Sequence, residues 1–276
     1  MRLRLIENLK GFMSIKYMFF WLSIITLMLS FSVNAACNKA LKTGWSTMWE
    51  PLVMGSYDKP SGFDKDILQA TIDAAGCQLQ QAKTIIPWAR QLIYIRTGQL
   101  DIITGASKTK ERIEYAYFTT PYRREFVTLF VMAEDLHSLE ADSIDDWIQN
   151  DVVLGVEYGN FYGEAVRNIL KTYPEKVHEV IKNEQNIQKL LNGRIDGYIG
   201  YIPAEVVRLN KLGLKRKIVA VQQFKINTGE VSFMLSKEST SKEVLEAINQ
   251  GLLEIRSNGI YDRILKKYTD KYGTIQ

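Results

Sequence analysis

Gly98-Gln99-Leu100-Asp101-Ile102-Ile103-Thr104-Gly105 and Gly193-Arg194-Ile195-Asp196-Gly197-Tyr198-Ile199-Gly200 are two versions of one pattern. Each follows an amphipathic stretch, Leu92–Thr97 in the first copy and Ile187–Asn192 in the second. Each then runs Gly-x-aliphatic-Asp into a short apolar strand that ends in glycine. A glycine just past a helix suits the left-handed C-cap, and an aspartate there can bond the amide groups of the turn. The copies lie about 95 residues apart, which predicts two lobes of similar construction.

Working outward, strand-length apolar runs alternate with amphipathic segments. Lys65–Ala75 carries Ile67, Leu68, Thr71 and Ile72 at helical spacing, with Asp64 as expected N-cap and Gly76 as expected C-cap. Cys77–Ile86 follows as a strand. Val152–Val156 precedes a helix over Tyr162–Lys171, and Ile195–Tyr201 precedes another over Pro203–Lys211. Helices over Ser241–Ser257 and Tyr261–Tyr272 end the chain. Such alternation predicts an α/β fold with mainly parallel sheets flanked by helices.

The N-terminus reads as an address. Arg2, Arg4, Lys10 and Lys16 precede an apolar run from Tyr17 to Phe31, and Val33-Asn34-Ala35 supplies small residues for cleavage. The run is shorter than the about 20 residues of a membrane span, so residues 1–35 are expected to be a cleaved secretory signal. Met13 is an alternative start. The mature chain is then placed in the periplasm. Cys37 and Cys77, the only cysteines, meet an oxidising compartment there, and a disulfide is the leading reading, with two buried free thiols the alternative.

The 276 residues are 46% hydrophobic and 24% charged, which excludes disordered, collagen-like and disulfide-dense chains. Without residues 1–35 the remainder carries 31 basic and 30 acidic side chains, a net charge of +1, far from the basic footprint of a nucleic-acid binder. His137 and His178 stand apart from other ligand types, so no metal site and no cofactor is expected. Lys42-Thr43-Gly44, Tyr158-Gly159-Asn160 and the Ser107-x-x-Lys110 spacing imitate a penicillin-recognising serine enzyme. In such enzymes the Lys-Thr-Gly strand comes last, whereas here it comes first.

A denser ordered run overlaps these residues: Gly62-Phe63-Asp64-Lys65-Asp66, Pro87-Trp88-Ala89-Arg90, Gly98-Gln99-Leu100-Asp101, Thr109-Lys110-Glu111-Arg112, and Phe118-Thr119-Thr120-Pro121-Tyr122. In this order the chain resembles the periplasmic solute-binding proteins of family 3, the polar amino-acid-binding type that serves ABC transporters. The resemblance runs from Trp45 to the last helix. It implies the two-lobed periplasmic binding protein type II fold, with lobe 1 over residues 36–124 and 228–276 and lobe 2 over residues 125–227. Strands near Arg124–Val127 and Phe224–Asn227 form the hinge, and the ligand binds between lobes that close on it. The implied function is capture of a small carboxylate-bearing solute, an amino acid or related compound, by a monomer that hands it to an ABC permease. An enzyme on the same scaffold, similar to cyclohexadienyl dehydratase, and a ligand-sensing subunit are the alternatives. The first two strands pair in parallel in this family, which would make Cys37 and Cys77 neighbours.

The resemblance also implies site residues. Arg112 matches the arginine that holds the ligand carboxylate, a task suited to a planar fork of donors. Thr104, Gly105 and Ser107 match the segment that bonds the same ligand, and Trp49 and Trp88 match the aromatic positions that sandwich its side chain. Gly159-Asn160-Phe161 is expected at a helix start, where amide groups suit an anion, although Phe161 replaces a small hydroxyl residue. Tyr201 stands where amino-acid receptors of this family place the acid that meets the α-ammonium group. Unless Glu157, Asp196 or another acid substitutes, the expected ligand lacks a free ammonium or presents it to aromatic faces.

Overall fold

The computed structural model describes residues 37–46 and 49–273; the signal expected over residues 1–35 lies outside the described residues. The chain begins with β1 (Leu41–Thr43), β2 (Met54–Ser56), β3 (Lys59–Ser61), α1 (Phe63–Ala74), β4 (Leu79–Gln81) and α2 (Trp88–Arg96). Then come β5 (Ile102–Ser107), the one-turn α3 (Arg112–Tyr115), β6 (Ala116–Phe118) and the long β7 (Arg123–Met132). Next are α4 (Ile144–Trp147), β8 (Leu154–Glu157), α5 (Glu164–Thr172), β9 (Val177–Val180), α6 (Asn183–Leu191), β10 (Gly197–Tyr201), α7 (Ile202–Lys211) and β11 (Ile218–Ala220). A second long strand, β12 (Ile226–Ser236), leads into α8 (Lys242–Ser257) and α9 (Ile260–Tyr272).

The two long strands create the two lobes. β7 and β12 pair antiparallel from Ile226 opposite Val127 to Val231 opposite Arg123. Beyond that overlap β12 carries β5 and β6 on Val231–Ser236, whereas β7 carries β10 and β11 on Val127–Met132. Every antiparallel pairing of the large sheet therefore involves β7 or β12. The parallel pairings are β1 with β4, and β8 with both β9 and β10. The expected hinge segments lie where the long strands overlap. Phe224 itself ends a 3-10 turn just before β12.

The main core runs through both lobes, joining Phe63 and Ile67 of α1 to Leu129 of β7 and to Leu154 and Val156 of β8. In lobe 1 the stripe Phe63, Ile67, Leu68 and Ile72 of α1 is fully buried, each side chain contributing on the order of 1.5–3 kcal/mol. Phe63 meets the rings of Tyr261 and Tyr268 edge-on, both at 6.1 Å. Helices α1 and α8 come so close that a Cβ on Gly251 would lie 2.4 Å from the Thr71 carbonyl oxygen. In lobe 2 Phe130 stacks on Tyr198, centroids 5.4 Å apart, in a cluster with Ile187, Leu190, Ile195 and Leu209.

The repeated pattern is a repeated structure, with one correction. Gly98 and Gly193 take the left-handed conformation, φ 71° and 63°. The aspartates do not bond their own turns, however. The Lys42 amide donates to Asp101 Oδ2 (2.7 Å) while the Asp101 amide donates to the Lys42 carbonyl (2.8 Å). Likewise the Val153 amide donates to Asp196 Oδ2 (2.7 Å) and the Asp196 amide to the Val153 carbonyl (2.9 Å). Each aspartate thus clamps the neighbouring strand, which commits Asp196 away from the cleft. Cys37 and Cys77 form a disulfide across 5.4 Å between Cα atoms, beside the parallel β1–β4 pair. A second correction concerns Asp64. Burial of Phe63 starts α1 earlier than expected, Gly62 is the N-cap, and Asp64 is a fully buried partner of Arg123.

Candidate functional site

A cleft between the lobes contains two adjoining chambers that share Trp49, Trp88 and Asn160. The inner chamber is lined from lobe 1 by Gly105, Ser107 and Arg112, from β7 by Glu125 and Val127, and from lobe 2 by Phe161, Tyr162, Asn183 and Tyr201. The outer chamber adds Ser46, Ile85 and Pro87 on one side and Glu157, Ile181, Lys182, Glu184 and Arg208 on the other. Of the ten ligand residues the sequence suggests, eight line the inner chamber. Gly159 joins them through its carbonyl. Thr104 does not line either chamber.

The local backbone explains the floor. Gly105 interrupts β5 with φ +72°, and its amide donates to the Tyr122 hydroxyl at 2.9 Å. Opposite it, the pairing with β12 shifts register between Ser232 and Met234. A Cβ on Gly105 would face Trp49, Asp64 and Arg123 at 3.4–3.5 Å. A side chain here would therefore strain the backbone and crowd the chamber floor.

Arg112 is buried, 6% exposed, on the short helix whose first amide bonds the Thr109 hydroxyl. Its Nη1 donates to the Ser107 carbonyl and its Nη2 to the Gly159 carbonyl, both at 2.9 Å. These are neutral acceptors. Two of the five guanidinium donors are used, and no carboxylate is paired with it among the described residues. Burial lowers its pKa from the ordinary arginine value. Trp88 Nε1 donates to the same Gly159 carbonyl at 2.9 Å, and the Arg112 guanidinium lies 5.5 Å from the Trp88 ring centre. One lobe 2 carbonyl thus gathers two lobe 1 side chains.

Gly159-Asn160-Phe161 does not start a helix, contrary to expectation. Gly159 and Gly163 have φ +82° and +92°, and α5 begins only at Glu164. The intervening loop is tied by the Tyr162 hydroxyl, which accepts from the Glu157 amide (2.9 Å) and from Asn160 Nδ2 (3.2 Å). This segment therefore offers a carbonyl to Arg112 rather than helix amides to an anion. Phe161 packs under the Arg167 guanidinium at 4.9 Å.

Tyr201 is 4% exposed and its ring lies 5.9 Å from Trp49 and 5.3 Å from the Arg123 guanidinium. Burial pushes its hydroxyl far above the usual tyrosine range, so it carries no counter-charge. The acids that sequence reasoning missed lie elsewhere. Glu125 enters from β7 beside the Arg123–Asp64 pair. In the outer chamber Arg208 Nε is 2.9 Å from Glu184, and Arg208 also meets buried Glu205, which accepts from Tyr198 and Asn183. Glu157, already a candidate from the sequence, is the third carboxylate of this group. Burial, reinforced by Glu205 and Glu184 and opposed by Arg208, pushes it up to about 7. The missed signal was the alternation Arg123, Glu125, Val127 on one face of a strand.

Sequence comparison matches residues 41–271 to the family described as bacterial extracellular solute-binding proteins, family 3. A probable histidine-binding protein of Campylobacter jejuni is 25% identical over 254 residues, 85% of this chain and 89% of that protein. The ABC transporter arginine-binding protein 1 of Escherichia coli is 26% identical over 253 residues, 88% of this chain and 96% of that protein. Among solved structures, the arginine-, lysine-, histidine-binding protein of Geobacillus stearothermophilus superposes with a TM-score of 0.69. Its sequence identity is 22%, covering 85% of this chain and 96% of the other.

Proposed function

This chain belongs to the bacterial extracellular solute-binding proteins, family 3, and on that premise we propose that it is a periplasmic receptor for a cationic, carboxylate-bearing solute. An amino acid or a close relative is captured between the lobes and passed to an ABC permease. The observation that carries the reading is the separation of Arg112, in the inner chamber, from the carboxyl groups of Glu157 and Glu184, in the outer one. Arg112, with no carboxylate partner among the described residues, marks one end. Glu157 and Glu184 mark the other, with Arg208 already shared between Glu184 and Glu205. Trp49 and Trp88 stand between, suited to an aliphatic stem and to a cation over an aromatic face. The names of the histidine- and arginine-binding relatives agree with this charge pattern.

In this reading residues 1–35 direct export, residues 36–124 and 228–276 form lobe 1, and residues 125–227 form lobe 2. The two chambers have volumes of about 20 and 40 Å³. A water needs roughly 10–15 Å³ of such space. A solute of amino-acid size therefore enters when the lobes part about the β7–β12 hinge. The test is a thermal-shift and calorimetric panel of arginine, lysine, ornithine and histidine beside glutamate, glutamine and leucine. A cationic member is expected to bind most tightly; preference for glutamate or leucine would refute the reading. One observation, a Glu157 carboxyl poised near 7, favours a second reading as an enzyme on this scaffold, with Arg112 anchoring substrate. Chemical turnover of the bound compound would decide for it.

A further inference from the structure

Two guanidiniums and two carboxylates are buried at the inner chamber: Arg112, Arg123, Asp64 and Glu125. Arg123 and Asp64 form a closed pair, Nε to Oδ1 at 2.9 Å and Nη2 to Oδ2 at 3.2 Å, with both side chains 0% exposed. That bidentate geometry satisfies one charge of each sign. Glu125 receives only a third, single bond from Arg123 Nη1 at 3.2 Å and keeps 7% side-chain exposure. Since it lines the inner chamber, that exposure faces the cleft. Arg112, whose side-chain bonds run to two carbonyls, is the cation left over.

One cation with no carboxylate partner among the described residues and one carboxylate held by a single bond of a shared guanidinium therefore face a single small chamber without bonding each other. Two separated, desolvated charges of this kind complement a zwitterion, because a bound carboxylate and ammonium would neutralise both at once. We infer that Glu125 receives the α-ammonium group of an α-amino acid whose carboxylate is held by Arg112. This deepens the receptor reading and rests on Arg112 acting as the carboxylate anchor.

The strand geometry supports the assignment. Glu125 is fixed by pairing opposite Gly229 and by the Thr228 hydroxyl on its carbonyl. Two residues further along the same face, Val127 pairs with Tyr201. The acid thus enters from the hinge strand beside the tyrosine. The charged groups that act on Glu125 are Arg123, Asp64 and Arg112, and burial raises its pKa. An ammonium partner would restore the ionised form. The side-chain cation, by contrast, would meet Glu157 in the outer chamber, so the two acids divide the tasks.

The test begins with the twenty standard L-amino acids in a thermal-shift screen of the mature protein. The best binder is then compared by calorimetry with its analogue bearing hydrogen in place of the α-ammonium. The wild type is expected to prefer the amino acid by about thirtyfold or more. Glu125→Gln should lose most of that preference, read as the ratio of the two affinities within the variant itself. Glu125→Asp, which keeps the charge and withdraws it by one methylene, should fall between them and guards against misfolding of the glutamine variant. Undiminished amino-acid binding by these variants would overturn the inference, as would a screen in which no amino acid binds. If the best binder is a neutral amino acid and still depends on Glu125, the inference stands and the cationic reading falls.

Discussion

In the proposed receptor, Glu157 makes ligand capture dependent on pH in a direction that can be worked out. Its carboxyl lies at about 7 because burial, with Glu205 and Glu184 beside it, outweighs Arg208 and the Asn183 backbone bond. A cationic ligand group needs the ionised form. Affinity should therefore fall about tenfold per unit below 7, and about a hundredfold between pH 8 and pH 5. Binding should release about 0.9 proton at pH 6 and about 0.1 at pH 8, by the same titration. Calorimetry in two buffers of different ionisation enthalpy reads that proton directly. The ligand-free protein should behave oppositely. A raised carboxyl pKa stabilises the fold below the ordinary value of 4.5, and that contribution is lost as pH rises to about 7. The loss is on the order of 2–3 kcal/mol. Glu157→Gln should flatten both curves. Pronounced pH dependence retained by the glutamine variant, or none in the wild type between pH 5 and 8, would refute the reasoning.

Three further outcomes follow from named contacts. Arg112→Ala should weaken binding by about 2–5 kcal/mol in calorimetry, and Arg112→Lys by less, because a point charge replaces a fork of donors. Reduction of the Cys37–Cys77 bond, which closes a 40-residue separation, should cost about 3–4 kcal/mol in denaturant titration, and alkylation of both cysteines without reductant would contradict the bond. Arg123→Met should destabilise by about 3–5 kcal/mol, since it strands Asp64 and Glu125 in the interior. Urea unfolding that moves by less than about 1 kcal/mol would show that those carboxyls find other partners.

The parts of the fold written as local pattern were legible. Gly98 with Asp101 and Gly193 with Asp196 marked the same helix-to-strand junction, and both copies fold into the same two-bond clamp. The ordered motifs led to Arg112, Trp88 and Gly105, which meet in one chamber. What escaped depended on partners distant in sequence. Asp64 resembles an N-cap because it opens a helical run, yet Arg123, 59 residues away, takes it into the core. Gly159-Asn160-Phe161 resembles a helix start, yet the Tyr162 hydroxyl ties the loop and postpones the helix. Arg124–Val127 is expected as a hinge strand, with no part in the site for Arg123 or Glu125. Strand alternation instead turns Arg123 and Glu125 inward and leaves Arg124 exposed, and only pairing with β12 and burial by both lobes makes that alternation count.

Closure and recognition share the same atoms in this cleft. The Gly159 carbonyl accepts from both Trp88 and Arg112, and on the opposite rim Lys211 of α7 meets Glu50, which also accepts from the Tyr272 hydroxyl. These contacts bind the lobes with no contribution from a solute, so on their own they favour closure equally with the cleft empty or filled. A ligand shifts the equilibrium only through contacts that differ between the open and closed forms. Arg112, Glu125 and Glu157 are positioned to supply that difference. Each is a buried or half-buried ionisable group whose charged form is costly in the cleft until a matching group arrives. In the proposed receptor, the groups whose ionisation is costly in the empty cleft are therefore the groups that make the filled one selective.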